Sequence, residues 1–580
     1  MTKQHIRSLL LLIGAAVITF FYYVPVLNSG PALGIQDWDQ NFAWSEFTRQ
    51  SFLEYHQFPF WDPYRCGGSV HFANPQIGVL SLTTLFVVLF GTVTGIKISI
   101  FAHGLIGFLG CFLLARQQGI SRYGSSLASI LYSFSGITGS FLSTGMVVFI
   151  NTAYTPYLLY CFLRAREHVG WSILAGLVGA VSFYFDYHIP LLLVGLLFIV
   201  SFLESLLAGK SDILASFARF IGIFVLLISP KLLLSVQLLN QFPVAPSGSS
   251  GYTIANLFYF LLSRQQSLVD GNSIRWHIDE ASLYIGIIPF LLGAGYFWKN
   301  KKGLLRYRLL FLWLLVSLWL MMGDRIPVSL FGAMQNLPFM ESFRVAERYR
   351  FLFIIPVALF AGLGIERLRT YVHPKRFIVI FIAICFGIYA DLTVLAANNF
   401  LRLPLSIKNT EVTASRDTFS QVSQSDTFDS FSYVPGKIPD RMQYTFGFTP
   451  WSLEYPAIRQ NTGIIDCYDS ITSRRFAKGS DDPLYRGEWY MLSNRRTGAL
   501  SFWSPQKQVF HFNKAPSDDV LIVNQNYYPG WYLVRNGEKE PAKNHDGLLA
   551  ASLTPHDTEI TFEFLPYRYL IDQLKGKLTD

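Results

Sequence analysis

Asp37-Trp38-Asp39 places two carboxylates two residues apart, directly after the first long apolar run of the chain. Acids beside a lipid-embedded helix are costly unless they meet a substrate, a proton or an ion. Desolvation near the membrane interface raises a carboxylate's pKa. Such a group can take a proton from an acceptor hydroxyl as general base, or hold a divalent cation against a phosphate. The other reading is that Asp39 simply caps the helix expected over Asn41–Tyr55, a surface helix that also carries Glu46 and Glu54. Downstream, Pro59-Phe60-Trp61-Asp62-Pro63-Tyr64, Gly67-Gly68 and His71-Phe72-Ala73-Asn74-Pro75-Gln76 make a rigid, aromatic turn region. Trp38, Trp61 and Tyr64 are suited to lie against sugar faces, with Asp62 and His71 as polar contacts. Aromatics also gather at membrane interfaces for packing reasons alone.

Three further groups could bind substrate. Arg344 and Arg348 fall one turn apart if their segment is helical, a suitable clamp for a phosphate. Lys231 could add to it or snorkel. Asp186 and His188 form a short polar turn between apolar runs, equally suited to contact a substrate or to satisfy a buried turn.

The elements that must position these residues are membrane helices. The 580-residue chain is 51% hydrophobic and 15% charged, against about 25% charged in soluble domains. Eleven spans are expected: Leu9–Val26, Ile98–Leu114, Tyr123–Phe141, Met146–Leu163, Trp171–Phe185, Pro190–Leu206, Ile213–Leu234, Ala281–Trp298, Leu309–Met322, Phe351–Leu363 and Phe377–Ala396. With the N-terminus in the cytoplasm, this count puts every basic loop inside, including the dense Lys299–Arg308 cluster. Counting Ile77–Phe90 as a crossing inverts the later loops, so that stretch is read as interfacial or re-entrant. The net charge of +9 therefore belongs to topology and not to nucleic acid. Loop 28–76, the Asp186–His188 turn, the segment before Arg350 and everything after Asn398 then face outside.

From about Leu401 the chain turns polar and β-like. Strands are expected at Val520–Val523, Gly530–Arg535, Leu548–Leu553 and Glu559–Phe564, with Asn536-Gly537 as a type I′ hairpin turn. The expected fold is a polytopic α-helical membrane domain over 1–398 and an extracytoplasmic β-sandwich-like domain over 399–580. The five cysteines have no metal-ligand spacing, and Cys66 and Cys467 are expected to stay unpaired.

At these segments the chain resembles the YfhO-like membrane glycosyltransferases of the GT-C superfamily. The likeness runs through Asp37-Trp38-Asp39, Phe58–Tyr64, Asn74-Pro75-Gln76, Tyr132-Ser133-Phe134-Ser135-Gly136 and Tyr284–Pro289. It continues in Leu337-Pro338-Phe339 with Ser342–Arg348, in Asn461-Thr462-Gly463 with Tyr468, and in Tyr527–Trp531 with Asn536-Gly537. The resemblance implies transfer of a sugar from a polyprenyl-phosphate donor to an envelope glycan at the outer leaflet of the cytoplasmic membrane. It implies Asp37 or Asp39 as the base or metal-linked acid; Arg344, Arg348 and Lys231 are then the groups expected on the donor phosphate, and a divalent cation is compatible with the acids. The family's Trp-Asn-Pro-Tyr reads Trp61-Asp62-Pro63-Tyr64 here, and Ala346 stands where proline is common. A flippase using the acids as ion sites, or a non-catalytic polymer-binding protein, are the rival readings. Absence of repeat symmetry and of midplane acids speaks against the flippase.

Overall fold

The computed structural model describes residues 3–28, 37–143, 145–209, 211–242, 251–264, 278–297, 307–336, 343, 345–399, 418–423, 454–467, 471, 475–493, 498–513 and 519–576. The chain divides into two compact units. One comprises Met1–Leu33, Ile96–Ser229 and Ala245–Pro404, and the other Gly34–Gly95, Pro230–Val244 and Leu405–Asp580.

The first unit is helical. Among the described residues, six helices are long and apolar enough to cross a membrane: Leu9–Leu27, Thr92–Gln117, His188–Leu207, Asp212–Gln241, Ala346–Tyr371 and Pro374–Ala397. Three shorter apolar helices accompany them, at Val169–Phe185, Ile287–Tyr296 and Arg308–Met321. The expected span Tyr123–Phe141 is instead two helices, Arg122–Phe134 and Gly136–Ser143. Its break lies where the Gly136 amide leaves the helical ladder and donates to the Tyr284 carbonyl at 2.8 Å. The expected span Met146–Leu163 likewise divides into a 3₁₀ segment, Val147–Tyr154, and a helix, Thr155–Arg164. Apolar composition alone cannot register such breaks, because a broken helix is tolerated wherever protein satisfies the freed backbone. The Arg122–Phe134 helix meets the Arg350–Tyr371 helix at Gly124 and Gly362, where a Cβ on either would lie 2.4–2.5 Å from the other's carbonyl oxygen. That is the small-residue contact through which membrane helices approach closely without a hydrophobic drive.

In the second unit, Leu82–Phe90 forms a helix of only nine residues, too short to cross a bilayer. Two antiparallel sheets follow from the C-terminal part. One has the order β10-β9-β13-β7-β6, with β6 Ala499–Ser504, β7 Lys507–His511, β9 Trp531–Arg535, β10 Glu538–Pro541 and β13 Glu559–Phe564. The other has the order β11-β12-β8-β5, with β5 Trp489–Met491, β8 Val520–Asn526, β11 Lys543–His545 and β12 Leu548–Ser552. Trp489 of the second sheet meets Phe510 of the first at 5.5 Å between ring centroids. Asn536 and Gly537 both have positive φ, 50° and 83°, as the type I′ turn between β9 and β10 requires.

Residues 61–70 pair among themselves, β1 Trp61–Asp62 against β2 Ser69–Val70. They also join a parallel ladder in which β3 Ser420–Val422 runs beside β4 Thr462–Ile464 and Arg65 bridges Ile464. Cys66 and Cys467 form a disulfide with Cα atoms 5.0 Å apart, contrary to the sequence expectation. A separation of 401 residues hid this pairing, and the Tyr64–Ile464 ladder beside it brings the two together.

Gly68 shows how tightly this knot is built. Its φ is +101°, and a Cβ there would lie 2.6 Å from the Trp61 ring. Gly68→Ala should therefore cost about 2–4 kcal/mol, from strain together with a displaced core tryptophan. Gly209→Ala, also at positive φ but facing open space, should cost no more than about 1–2 kcal/mol. Chemical denaturation of the two variants checks the ranking.

Candidate functional site

The helix expected at Asn41–Tyr55 begins earlier, at Asp37, and runs to Leu53. It is not a surface helix: Trp38, Phe42, Trp44, Glu46 and Phe47 are all buried. Starting it at Asp37 puts both acids in its first turn, where the helix dipole favours negative charge.

The two acids are then treated differently. Asp37 is half-buried. Asp39 is 5% exposed, and its two carboxylate oxygens accept the backbone N–H groups of Glu454 and Tyr455, at 2.7 and 3.1 Å. Asp39 thus caps a helix, but that of Glu454–Arg459 and not its own. Beneath it Arg65 Nε donates to Glu454 Oε2 at 2.6 Å, with both side chains buried. The guanidinium also lies over the Trp44 ring, 5.2 Å from its centroid. Burial and the neighbouring Glu454 carboxylate push Asp39 up to about 7, against the opposing pull of the two N–H groups and Arg65.

The aromatic turn is core. Trp61 is 1% exposed, donates from Nε1 to Gln525 Oε1 at 2.8 Å, and packs on Trp531 and Phe564. One edge of it lines a cleft of about 410 Å³ together with Tyr527, Tyr528 and Asn74. Asp62 accepts the Tyr64 amide at 2.9 Å, and its second oxygen stands 3.5 Å from His71 Nδ1. His71 Nε2 meets Thr48 Oγ1 at 2.8 Å. Burial lowers the His71 pKa, against the opposing pull of the Asp62 carboxylate. The Tyr64 hydroxyl bonds Tyr55 and Asn461. Trp38 stacks on Phe42. Lys231, fully buried, donates to the Ile77 carbonyl at 2.7 Å and lies 5.9 Å from the Phe72 ring centroid.

In the helical unit, Asp186 accepts the backbone N–H of His188 at 2.9 Å and lies 3.0 Å from its ring Nδ1. The Asn151 amide holds the Asp186 carbonyl from behind. His188 meets the Phe149 ring, and Arg348 sits over that same ring at 5.0 Å. Arg348 Nε donates to Glu280 at 3.1 Å. Burial alone would raise the Glu280 pKa, but Arg348 and Arg350 hold it below the ordinary carboxylate range. Asp186, His188 and Arg348 therefore gather around Phe149. Arg344 lies outside the described residues.

Three residues central to these clusters, Arg65, Glu454 and Glu280, were not singled out from the sequence. Each partner is 68 or more positions away, and no spacing rule reaches that far. For a divalent cation the donor sets fit poorly. Both Asp39 oxygens are taken by N–H groups, and among the described residues no three His, Cys, Asp or Glu side chains form a ligand group.

Two measurements test these assignments. A carboxyl whose folded pKa is raised loses stability as pH rises from its unfolded value of 3.8 and carries the full penalty above about 7. The difference in stability between wild type and Asp39→Asn should therefore shift by a few kcal/mol between pH 4 and 7 and level off beyond, by thermal melting across that range. Arg65→Met should destabilise by about 3–5 kcal/mol by stranding Glu454, while Arg65→Met with Glu454→Leu should recover much of that loss.

No protein-family model matches the chain, and no curated protein matches it. Among solved structures it is similar to the archaeal oligosaccharyltransferase AglB from Archaeoglobus fulgidus, solved with an inhibitory peptide and a dolichol-phosphate. The two are 14% identical over 67% of this chain and 55% of that one, with a TM-score of 0.45. It is also similar to the arabinofuranosyltransferase AftD from Mycobacteria, at 13% identity over 67% of this chain and 27% of that one, TM-score 0.44. A third is ArnT from Cupriavidus metallidurans bound to undecaprenyl phosphate, at 14% identity over 67% and 74%, TM-score 0.39. The chain spans about half the length of the oligosaccharyltransferase it matches.

Proposed function

We propose that the chain is a membrane glycosyltransferase of the YfhO-like, GT-C kind, moving a sugar from a polyprenyl-phosphate donor to a cell-envelope glycan at the outer face of the cytoplasmic membrane. The order of its motifs supports this reading, and one structural observation carries it. The helix bearing Asp37 is pinned two residues later by Asp39, whose carboxylate is held by two backbone N–H groups, while Asp37 itself keeps exposed surface. A general base needs both properties: a fixed position and an accessible carboxylate.

In the transfer, the acceptor hydroxyl oxygen attacks the anomeric carbon and its proton passes to the Asp37 carboxylate. The bond between that carbon and the phosphate oxygen breaks, and its electron pair leaves with the polyprenyl phosphate. Attack opposite the leaving group inverts the anomeric centre. Asp39 is a positioning residue for Asp37. Arg344 and Arg348 are the cations we assign to the leaving phosphate by their charge; Glu280 accepts from Arg348 Nε and offsets part of its charge. Preorganised charge at a departing phosphate is the main assistance such a leaving group needs.

Reconstituted protein supplied with undecaprenyl-phosphate hexoses and pentoses should turn over at least one of them. Asp37→Asn should lose about 10²–10⁴-fold in kcat with an unchanged melting temperature. A folded Asp37→Asn variant with wild-type turnover would remove Asp37 as base, and wild-type protein inert to the whole panel would remove the transferase reading.

A further inference from the structure

The second unit holds a larger cleft, of about 570 Å³, that none of the transfer chemistry uses. Its walls come from the end of the Asp37–Leu53 helix, the β3 entry, and strands β6, β7 and β8. Phe419 lies parallel to Trp503, ring centroids 4.7 Å apart and planes inclined by 18°. Tyr55 and Tyr64 present their rings to Trp503 nearly at right angles, at 5.9 and 6.3 Å. Around this aromatic group stand Gln50, Gln508, Gln525 and Asn461, with the carboxylates of Glu54 and Glu488. Among the described lining residues there is no Lys, Arg or His.

Gln508 supplies the second observation. It is 2% exposed, sits opposite Trp503 in the β6–β7 ladder, and its side-chain Nε2 has no hydrogen-bond partner among the described residues. A buried amide left unpaired costs about 1–3 kcal/mol, and a hydroxyl-bearing ligand at this wall would satisfy it. Flat aromatic faces beside amides and carboxylates are the chemistry of carbohydrate recognition: rings meet the C–H faces of a sugar while amide and carboxylate groups bond its hydroxyls. Two carboxylates in a lining that carries no cation disfavour uronic acids and phosphorylated sugars by like-charge repulsion, although Arg49 and Arg459 act on Glu54 from outside the lining.

We propose that this cleft binds a neutral glycan segment, on the order of two or three pyranose rings in length by its volume. The site goes beyond the transfer reading, because glycan binds here whether or not the chain transfers a sugar. It involves neither Asp37 nor Arg348.

The test titrates full-length protein in nanodiscs with cellotriose, maltotriose, mannotriose and the anionic trigalacturonate. Tryptophan fluorescence and saturation-transfer NMR give the readouts. At least one neutral trisaccharide should bind saturably, trigalacturonate at least tenfold more weakly, and Asp37→Asn should bind as wild type does. Trp503→Ala and Gln508→Leu should each weaken binding tenfold or more. If Trp503→Ala fails to fold, Trp503→Phe and Gln508→Leu carry the comparison. Absence of saturable binding by every neutral probe overturns the proposal, as does wild-type binding by Gln508→Leu or equal affinity for trigalacturonate. Loss of turnover in Asp37→Asn with binding retained leaves the cleft standing and tests only the base.

Discussion

Arg65 and Glu454 are both buried and bound to each other, and the second unit depends on that pair. Two charges removed from water cost several kcal/mol each unless they meet with good geometry and their other groups are satisfied. Here the guanidinium finds a carboxylate at 2.6 Å and an aromatic face in Trp44. Glu454 begins a short helix whose first amides are received by Asp39. The same stretch of chain continues through Cys66 into a disulfide and through Tyr64 into a ladder with Ile464. A charge pair, a covalent bond and a strand contact therefore converge on residues 61–70, and Asp39 caps the helix that the charge pair holds. That convergence is what fixes the helix carrying Asp37.

The price of this anchoring falls on Asp39. Close to Glu454 and away from water, its carboxyl titrates near 7 in place of the ordinary range. Asp37, two residues earlier, is only half-buried. An isolated pair of identical residues has thus been divided by environment into a fastener and an accessible acid. In the helical unit a comparable economy operates around Phe149, whose ring receives His188 on its edge and Arg348 over its face. Glu280 keeps Arg348 oriented without leaving a bare cation in an apolar setting.

Much of this was legible in the sequence, and the limits of legibility have physical causes. Long apolar runs such as Asp212–Gln241 and Pro374–Ala397 declare themselves by composition, and the Asn536-Gly537 turn by the positive φ that few other pairs tolerate. The strands Trp531–Arg535 and Glu559–Phe564 follow from alternation. The break at Ser135 did not show, because the Gly136 amide it frees is satisfied by the Tyr284 carbonyl far along the chain. The Asp37–Leu53 helix was expected, but as a surface element; with an even spread of aromatic and polar residues it has no face that composition could mark as buried. Trp61 and Tyr64 were expected as sugar platforms and are packed into the core, which their bulk serves equally well.

Local chemistry alone sets the apolar lengths, the turn residues, the acids beside a first span, and a polar, strand-forming C-terminal part. The tertiary structure alone decided the partners. It set Asp39 on Glu454, joined Cys66 to Cys467, gave Glu280 to Arg348, and assembled Tyr55, Phe419 and Trp503 around one cleft. The reason is that a side chain's type states what it can bond, while its protonation, burial and partner depend on groups brought near it by the fold from tens or hundreds of residues away.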